Sequence, residues 1–222
     1  VIDEVVRHPT AKTIRLSVDP ATGTARLIVP RCAGLKSALA WAEEKKDWIA
    51  EQRARLPNPR PFVPGATIPF GDVTLTLEWR EGRARVIQRE GNRLCASGPI
   101  ETLGRRVEAW LKRQALEVLA RETAEVARAA GVTVTKVSVA DPKARWGSCA
   151  STGAIRYSWR LILAPDFVRR ATVAHEVAHR VHMNHAPVFH ALVAELLGED
   201  PTPATAWLRR HGAGLHWYGR SS

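Results

Sequence analysis

The sequence predicts an α+β fold in two parts: a β-hairpin-rich part with one helix over residues 1–100, then a mixed part over residues 101–222. Three observations carry this reading. Short alternating stretches between turn residues dominate the first hundred positions. A single long amphipathic pattern starts at residue 101. Beyond it, short apolar strands and helices of 3.6-residue period intermix.

Ile14, Leu16 and Val18 share one face of an extended run, and residues 24–29 form a second. Asp19-Pro20-Ala21-Thr22-Gly23 supplies the turn of a hairpin between them. Residues 35–55 follow helical spacing through Leu35, Ala38, Leu39, Ala42, Trp48 and Ile49, and Pro57-Asn58-Pro59 ends the helix. Val73, Leu75 and Leu77 alternate, Glu81-Gly82 turns the chain, Ala84 to Gln88 returns, and Glu90-Gly91-Asn92 turns again into Leu94 and Ala96. Residues 101–130 read as one helix that buries Val107, Trp110, Leu111, Ala115 and Val118 and stops at Gly131. Val132, Val134, Val137 and Val139 make a strand, and residues 154–163 a further extended segment. Pro165-Asp166 opens the next helix, since proline suits the first turn and an acid suits the dipole there.

The composition is that of a globular chain: no apolar run approaches the ~20 residues of a membrane span, and the first residues lack the basic-then-apolar pattern of a signal peptide. Three cysteines, Cys32, Cys95 and Cys149, are too few and too scattered for a disulfide framework, so the cytoplasm is the expected compartment. The net charge is +11. Its excess is spread thinly, and residues 151–200 carry as many acids as bases, so solvated surface arginines explain it better than a nucleic-acid stripe. Weak, nonspecific nucleic-acid binding is all that it predicts. No membrane partner is expected, and nothing in the sequence sets an oligomeric state.

Five of the eight histidines lie between residues 175 and 190. His175 and His179 are four apart in His175-Glu176-Val177-Ala178-His179, so a helix places both on one face, about 6 Å apart along the axis. That lets two imidazoles reach one ion at ~2.0–2.1 Å. Glu176, one step round the helix, faces the ion's open side as a general base and not as a ligand. A third ligand is needed. His185 lies six residues beyond His179, a rotation of about 600° on a continuing helix, so it ligates only if the helix stops. Pro187 disfavours helix at Ala186, and Asn184 accepts a left-handed turn. Three rivals stand against His185. Glu199 sits twenty residues past His179 but beside Gly198 and Asp200-Pro201, past the expected end of the next helix. His182 is two turns from His175, and His190 falls on the following helix. The cofactor predicted by His175, His179 and His185 is Zn2+.

With these residues in hand, the chain resembles the YgjP-like metallopeptidases, relatives of the SprT-like and WLM zincins. The resemblance rests on the histidine motif, on Asn184-His185-Ala186-Pro187-Val188-Phe189, on Arg145-Trp146-Gly147-Ser148-Cys149 followed by Trp159-Arg160-Leu161-Ile162, and on Trp207 to Gly212. It departs at Ala186, His190 and Ser158, where the family often carries Ser, Trp and Asn. The resemblance implies a zincin-like peptidase domain over 101–222 with the strand 154–163 beside the cleft, where an exposed edge strand takes an extended peptide. Trp146, Tyr157 and Arg160 are then candidates for substrate contact. For Trp146 core packing competes with lining the cleft, and for Arg160 a solvated charge competes with binding a carboxylate or phosphate. Cys149 reads as a small buried residue rather than an inhibitory ligand.

A zinc peptidase acting on a peptide or protein substrate is the leading function. The same chemistry serves a hydrolase of phosphoanhydrides such as nucleoside triphosphates, which the basic charge favours, though no Gly-rich phosphate loop is present. A zinc-stabilised module binding nucleic acid or protein is the non-enzymatic reading, and it leaves Glu176 without a purpose.

Overall fold

The computed structural model describes residues 1–82 and 84–220. It is a mixed α+β chain, as the sequence predicts. Its contacts divide into two compact units, Val1–Asn58 and Pro59–Ser222, with the division at 58/59 and not near residue 100. Residues 67–97 belong with the C-terminal unit because Ile68, Leu75, Leu77 and Leu94 share one core with the long helix that follows.

The first unit holds strands β1 (Glu4–His8), β2 (Arg15–Val18) and β3 (Ala25–Pro30), then helices α1 (Leu35–Glu43) and α2 (Lys46–Ala54). β3 is central, antiparallel to β2 as the hairpin requires and parallel to β1. Leu27 and Val29 of β3 are fully buried against Ala38 and Ala42 of α1. β1 has no clean apolar alternation, so backbone pairing places it, not a buried face. The single helix expected over 35–55 is two. Lys45 leaves helical geometry at φ −95° and ψ 13°, inside the run Glu43-Glu44-Lys45-Lys46, which offers no apolar anchor across the break.

The second unit opens with β4 (Thr67–Phe70), β5 (Val73–Arg80), β6 (Ile87–Glu90) and β7 (Arg93–Ser97), in the order β4-β5-β7-β6. β5 therefore pairs with β7, in parallel, and not with the returning strand. Leu94 and Ala96 of β7 are buried and suit the interior, whereas Gln88, Arg89 and Glu90 of β6 are exposed and suit an edge. β4 lies at the other edge, where Pro69 is tolerated. Helix α3 (Leu103–Ala129) buries Val107, Trp110, Leu111 and Ala115 as expected, whereas Val118 is only half-buried, and Gly131 follows it at φ 66°.

Strands β8 (Lys136–Ala140), β9 (Gly147–Cys149) and β10 (Ala154–Ser158) form a sheet in the order β8-β10-β9. The extended segment expected over 154–163 ends at Ser158, whose side chain accepts from Arg160 N–H, and a buried 3-10 turn covers Trp159–Leu163. β10 is thus an internal strand, and β9 is the edge. Helices α4 (Asp166–Ala178), α5 (Pro187–Leu197) and α6 (Thr202–Leu215) complete the unit. Among the described residues no helix is long and apolar enough to cross a membrane.

α4 is pinned to α3 by Arg169, whose guanidinium donates to both carboxylate oxygens of Glu122 at 2.7–3.2 Å. Both side chains are largely buried. Arg169→Met strands the Glu122 carboxylate and is expected to cost about 3–5 kcal/mol, read as a lowered urea midpoint. Adding Glu122→Leu should recover most of the loss.

Candidate metal centre

His175 and Glu176 sit in the last turn of α4, and His179 is its C-cap. The helix tightens as it ends: Val181 N–H donates to Ala178 C=O at 3.0 Å, an i to i−3 bond. The chain then reverses. Ala186 is extended at φ −67° and ψ 166° ahead of Pro187. Asn184 assists differently from the expected left-handed conformation, since no non-glycine residue has positive φ among the described residues. Its side-chain oxygen accepts from Ala186 N–H at 3.3 Å, a side-chain turn that closes the reversal.

The reversal brings together the donor atoms of His175, His179 and His185, all within 4.8 Å of one another. His185 Nε2 and His175 Nε2 stand 3.3 Å apart. Two nitrogens at ~2.0–2.1 Å from one tetrahedral ion lie about 3.3–3.4 Å apart, so the pair fits a common ion. His179 Nδ1 lies 3.1 Å from the His182 carbonyl. A carbonyl only accepts, so Nδ1 carries the proton and Nε2 presents its lone pair to the cluster. Burial lowers the His175 pKa to about 4, helped by His179, His185 and His190. Burial also lowers that of His179, partly offset by the bond to His182. Neutral imidazole is the form that ligates.

Phe189, fully buried, is the floor of the cluster. Its ring stacks on His179 at 4.5 Å and meets His175 and His185 edge-on at 4.9 and 4.7 Å. In the sequence it reads only as an apolar residue of α5; its place four residues after His185, just past Pro187, is the signal for this role.

Glu176 is 5% exposed. Burial raises its pKa to about 7, and Arg145 opposes that rise. Its carboxylate lies directly over Gly147 of β9: a Cβ there would stand 2.6 Å from Glu176 Cγ and Cδ. Gly147 is absent from the site residues read from sequence, although it lies within the Trp-Gly-Ser-Cys stretch. Gly147→Ala has to displace the whole carboxylate arm. It is expected to keep metal binding and lower turnover on the order of 10²-fold, the cost of about 1 Å of misplacement. Metal content and kcat measured on one preparation check it.

A cleft of about 530 Å³ opens beside His175 and Glu176, between Arg145–Gly147 and α6. Trp146 forms its wall and also packs inward, against Gly212, where a Cβ would be 2.6 Å from the indole, and against the His216 ring at 5.5 Å. His190 lines the cleft too. The other two residues expected to touch substrate do not face it. Tyr157 is fully buried, its hydroxyl 3.0 Å from that of Thr123. Arg160 is buried, donating to Asp141 at 2.7 Å and to the carbonyls of Leu215 and Tyr218 at 2.7 and 3.0 Å. It ties down the C-terminal segment. Both expectations assumed an exposed strand at 154–163, and β10 is internal. Glu199 lines a separate cavity with Glu122, Glu125 and Arg170. Cys149 is half-buried on β9, outside the donor cluster, and burial raises its pKa.

No curated protein and no solved structure matches the chain. The family model for the YgjP-like metallopeptidase domain matches residues 12–211, and with a span covering most of its length the chain belongs to the YgjP-like metallopeptidase family.

Proposed function

We propose that the chain is a zinc-dependent peptidase in which His175, His179 and His185 hold the ion and Glu176 is the general base. The observation that carries the reading is the convergence of three imidazole donors beside one buried carboxylate. A zinc ion, when bound, polarises a scissile carbonyl and acidifies a water. Glu176 takes a proton from the attacking water at its carboxylate and passes it to the leaving amine, and a pKa near 7 suits both transfers.

The edge of β9 aligns the substrate. Ala150 N–H donates to Ala154 C=O and Ser158 N–H to Trp146 C=O, so even-numbered residues face β10. The N–H and C=O groups of Gly147 and Cys149 therefore point to the free edge. An extended peptide pairing there runs past Glu176. The role expected of 154–163 thus passes to 147–149.

Arginines at the cleft favour one second reading, hydrolysis of a phosphoanhydride in a nucleoside triphosphate. The test is a side-by-side assay of the zinc-loaded protein on mixed peptides and on nucleoside triphosphates, with a chelated control. Chelator-sensitive peptide cleavage is expected. Turnover of nucleotides without peptides overturns the peptidase reading. The reading includes a cytoplasmic setting and, for nucleic acid, only weak binding that falls steeply with salt.

A further inference from the structure

The cleft beside Glu176 carries an unusual mixture. Trp146, Ala171, Val193, Ala204 and Leu208 make its wall apolar, yet Arg145, Arg209 and His190 also line it, against Glu176 as the only acid among the described residues there. Arg145 and Arg209 make no hydrogen bond or carboxylate ion pair among the described residues. Three less exposed arginines of this unit are satisfied, Arg160 by Asp141, Arg169 by Glu122, and Arg180 by the carbonyls of Thr133 and Ser151. What sets Arg145 and Arg209 apart from exposed arginines such as Arg105 and Arg210 is that they line the cleft.

Both guanidinium groups line the cleft, and Arg145 also acts on the Glu176 carboxylate. Trp146 packs on α6 at Gly212. Arg209 is three residues before Gly212, on the same helical face. Arg145 adjoins Trp146 in the chain. Arg145 and Arg209 thus adjoin, in the chain and on α6, the two residues of the Trp146–Gly212 contact that walls the cleft. Guanidinium groups with unspent donors beside an apolar wall recognise a planar carboxylate next to a hydrophobic group.

We propose that this cleft is a substrate-selecting subsite for an apolar side chain followed by a carboxylate, the side chain lying against Trp146 and Leu208 and the carboxylate held by Arg145 and Arg209. The proposal rests on the peptidase reading for its orientation. A peptide aligned on β9 with its scissile bond at Glu176 places the neighbouring side chain in the cleft. The carboxylate is then the next acidic side chain or the chain's own C-terminus.

The test is binding, measured by calorimetry on full-length, zinc-loaded Glu176→Gln protein, which holds peptides uncut. Four otherwise identical hexapeptides are used: Leu-Glu or Leu-Gln at the centre with amidated ends, and Leu at the C-terminus as free acid or amide. One acid is expected to bind at least tenfold tighter than its neutral partner, and which one identifies the source of the carboxylate. That ratio should fall to twofold or less with Arg145→Gln or Arg209→Gln, and persist with Arg210→Gln, which is on α6 but outside the cleft. Replacing the peptide Leu by Ala should weaken binding several-fold. Equal binding of acid and neutral peptides, no binding of any, or a preference that survives both arginine changes overturns the proposal. So does tripolyphosphate displacing the acidic peptide at lower concentration than the peptide itself requires. The same peptides offered to the protein with Glu176 intact separate the two readings. Cleavage without acid preference removes the subsite and leaves the peptidase. Acid-selective binding without cleavage removes the peptidase and leaves the subsite.

Discussion

Glu176→Gln is expected to bind metal as the unaltered protein does and to lose turnover by ~10²–10⁴-fold, the usual contribution of a positioned general base. The amide matches the carboxylate in size, so it fits the same space over Gly147, but it accepts no proton from the attacking water. The change has a second signature that needs no substrate. Burial holds the folded-state pKa of Glu176 near 7, against 4.5 as the ordinary value. The metal-free fold therefore favours the protonated acid, and the unfolded chain ionises first. Stability from this group is fully present below about pH 4.5 and is lost as pH rises through 7. Glu176→Gln stays neutral throughout. Metal-free Glu176→Gln should thus exceed the unaltered protein in stability at pH 8, by on the order of 3 kcal/mol, and match it near pH 4. Urea titrations at the two pH values measure the difference. Curves that stay parallel from pH 4 to pH 8 would mean that Glu176 is not buried as acid, and retained turnover would remove its role as base.

What the sequence reveals and what it hides divide along physical lines. α4 and the reversal at Asn184–Pro187 are legible because local rules decide them: a four-residue spacing, a proline, and a side chain able to make its own turn. α3 is legible because its apolar stripe repeats over 27 residues. Strand order is not local. Nothing near Glu81-Gly82 says that β7 and not β6 lies beside β5; that depends on which strand has buried residues to offer the shared core. The burial of Tyr157 and Arg160 is hidden for the same reason. A tyrosine and an arginine near a cleft motif read as contacts for a ligand until Thr123, thirty-four residues away, and the C-terminal carbonyls are seen to satisfy them. Gly147 is the sharpest case. Its absent side chain is the space that Glu176 occupies, and glycine alone in a strand does not say what approaches it.

His185→Ala tests the third donor, the one that depends on the chain reversing. His175 and His179 remain in α4 after the change, but two imidazoles without a third leave an ion held on one side only. Loss of an outer partner of a ligand commonly costs ~10–100-fold in metal affinity, and loss of a donor from the cluster itself is expected to exceed that. Glu199→Ala should leave the metal content unchanged, because Glu199 lines a different cavity from His175. The two variants are compared with the unaltered protein by competition against a chelator of known zinc affinity. A fall in affinity confined to His185→Ala is the expected result. Equal affinity for His185→Ala and the unaltered protein, or a fall with Glu199→Ala, would remove His185 from the ligand set. A structural side effect is also separable. The His185→Ala change leaves Asn184 and Pro187 in place, so the turn to α5 persists, and Phe189 keeps its stacking on His179. The variant should therefore unfold, metal-free, within ~0.5 kcal/mol of the unaltered protein, as exposed substitutions usually do. If metal-free stability falls well beyond that, the lost affinity reports a damaged fold; if it holds, the loss belongs to the imidazole itself.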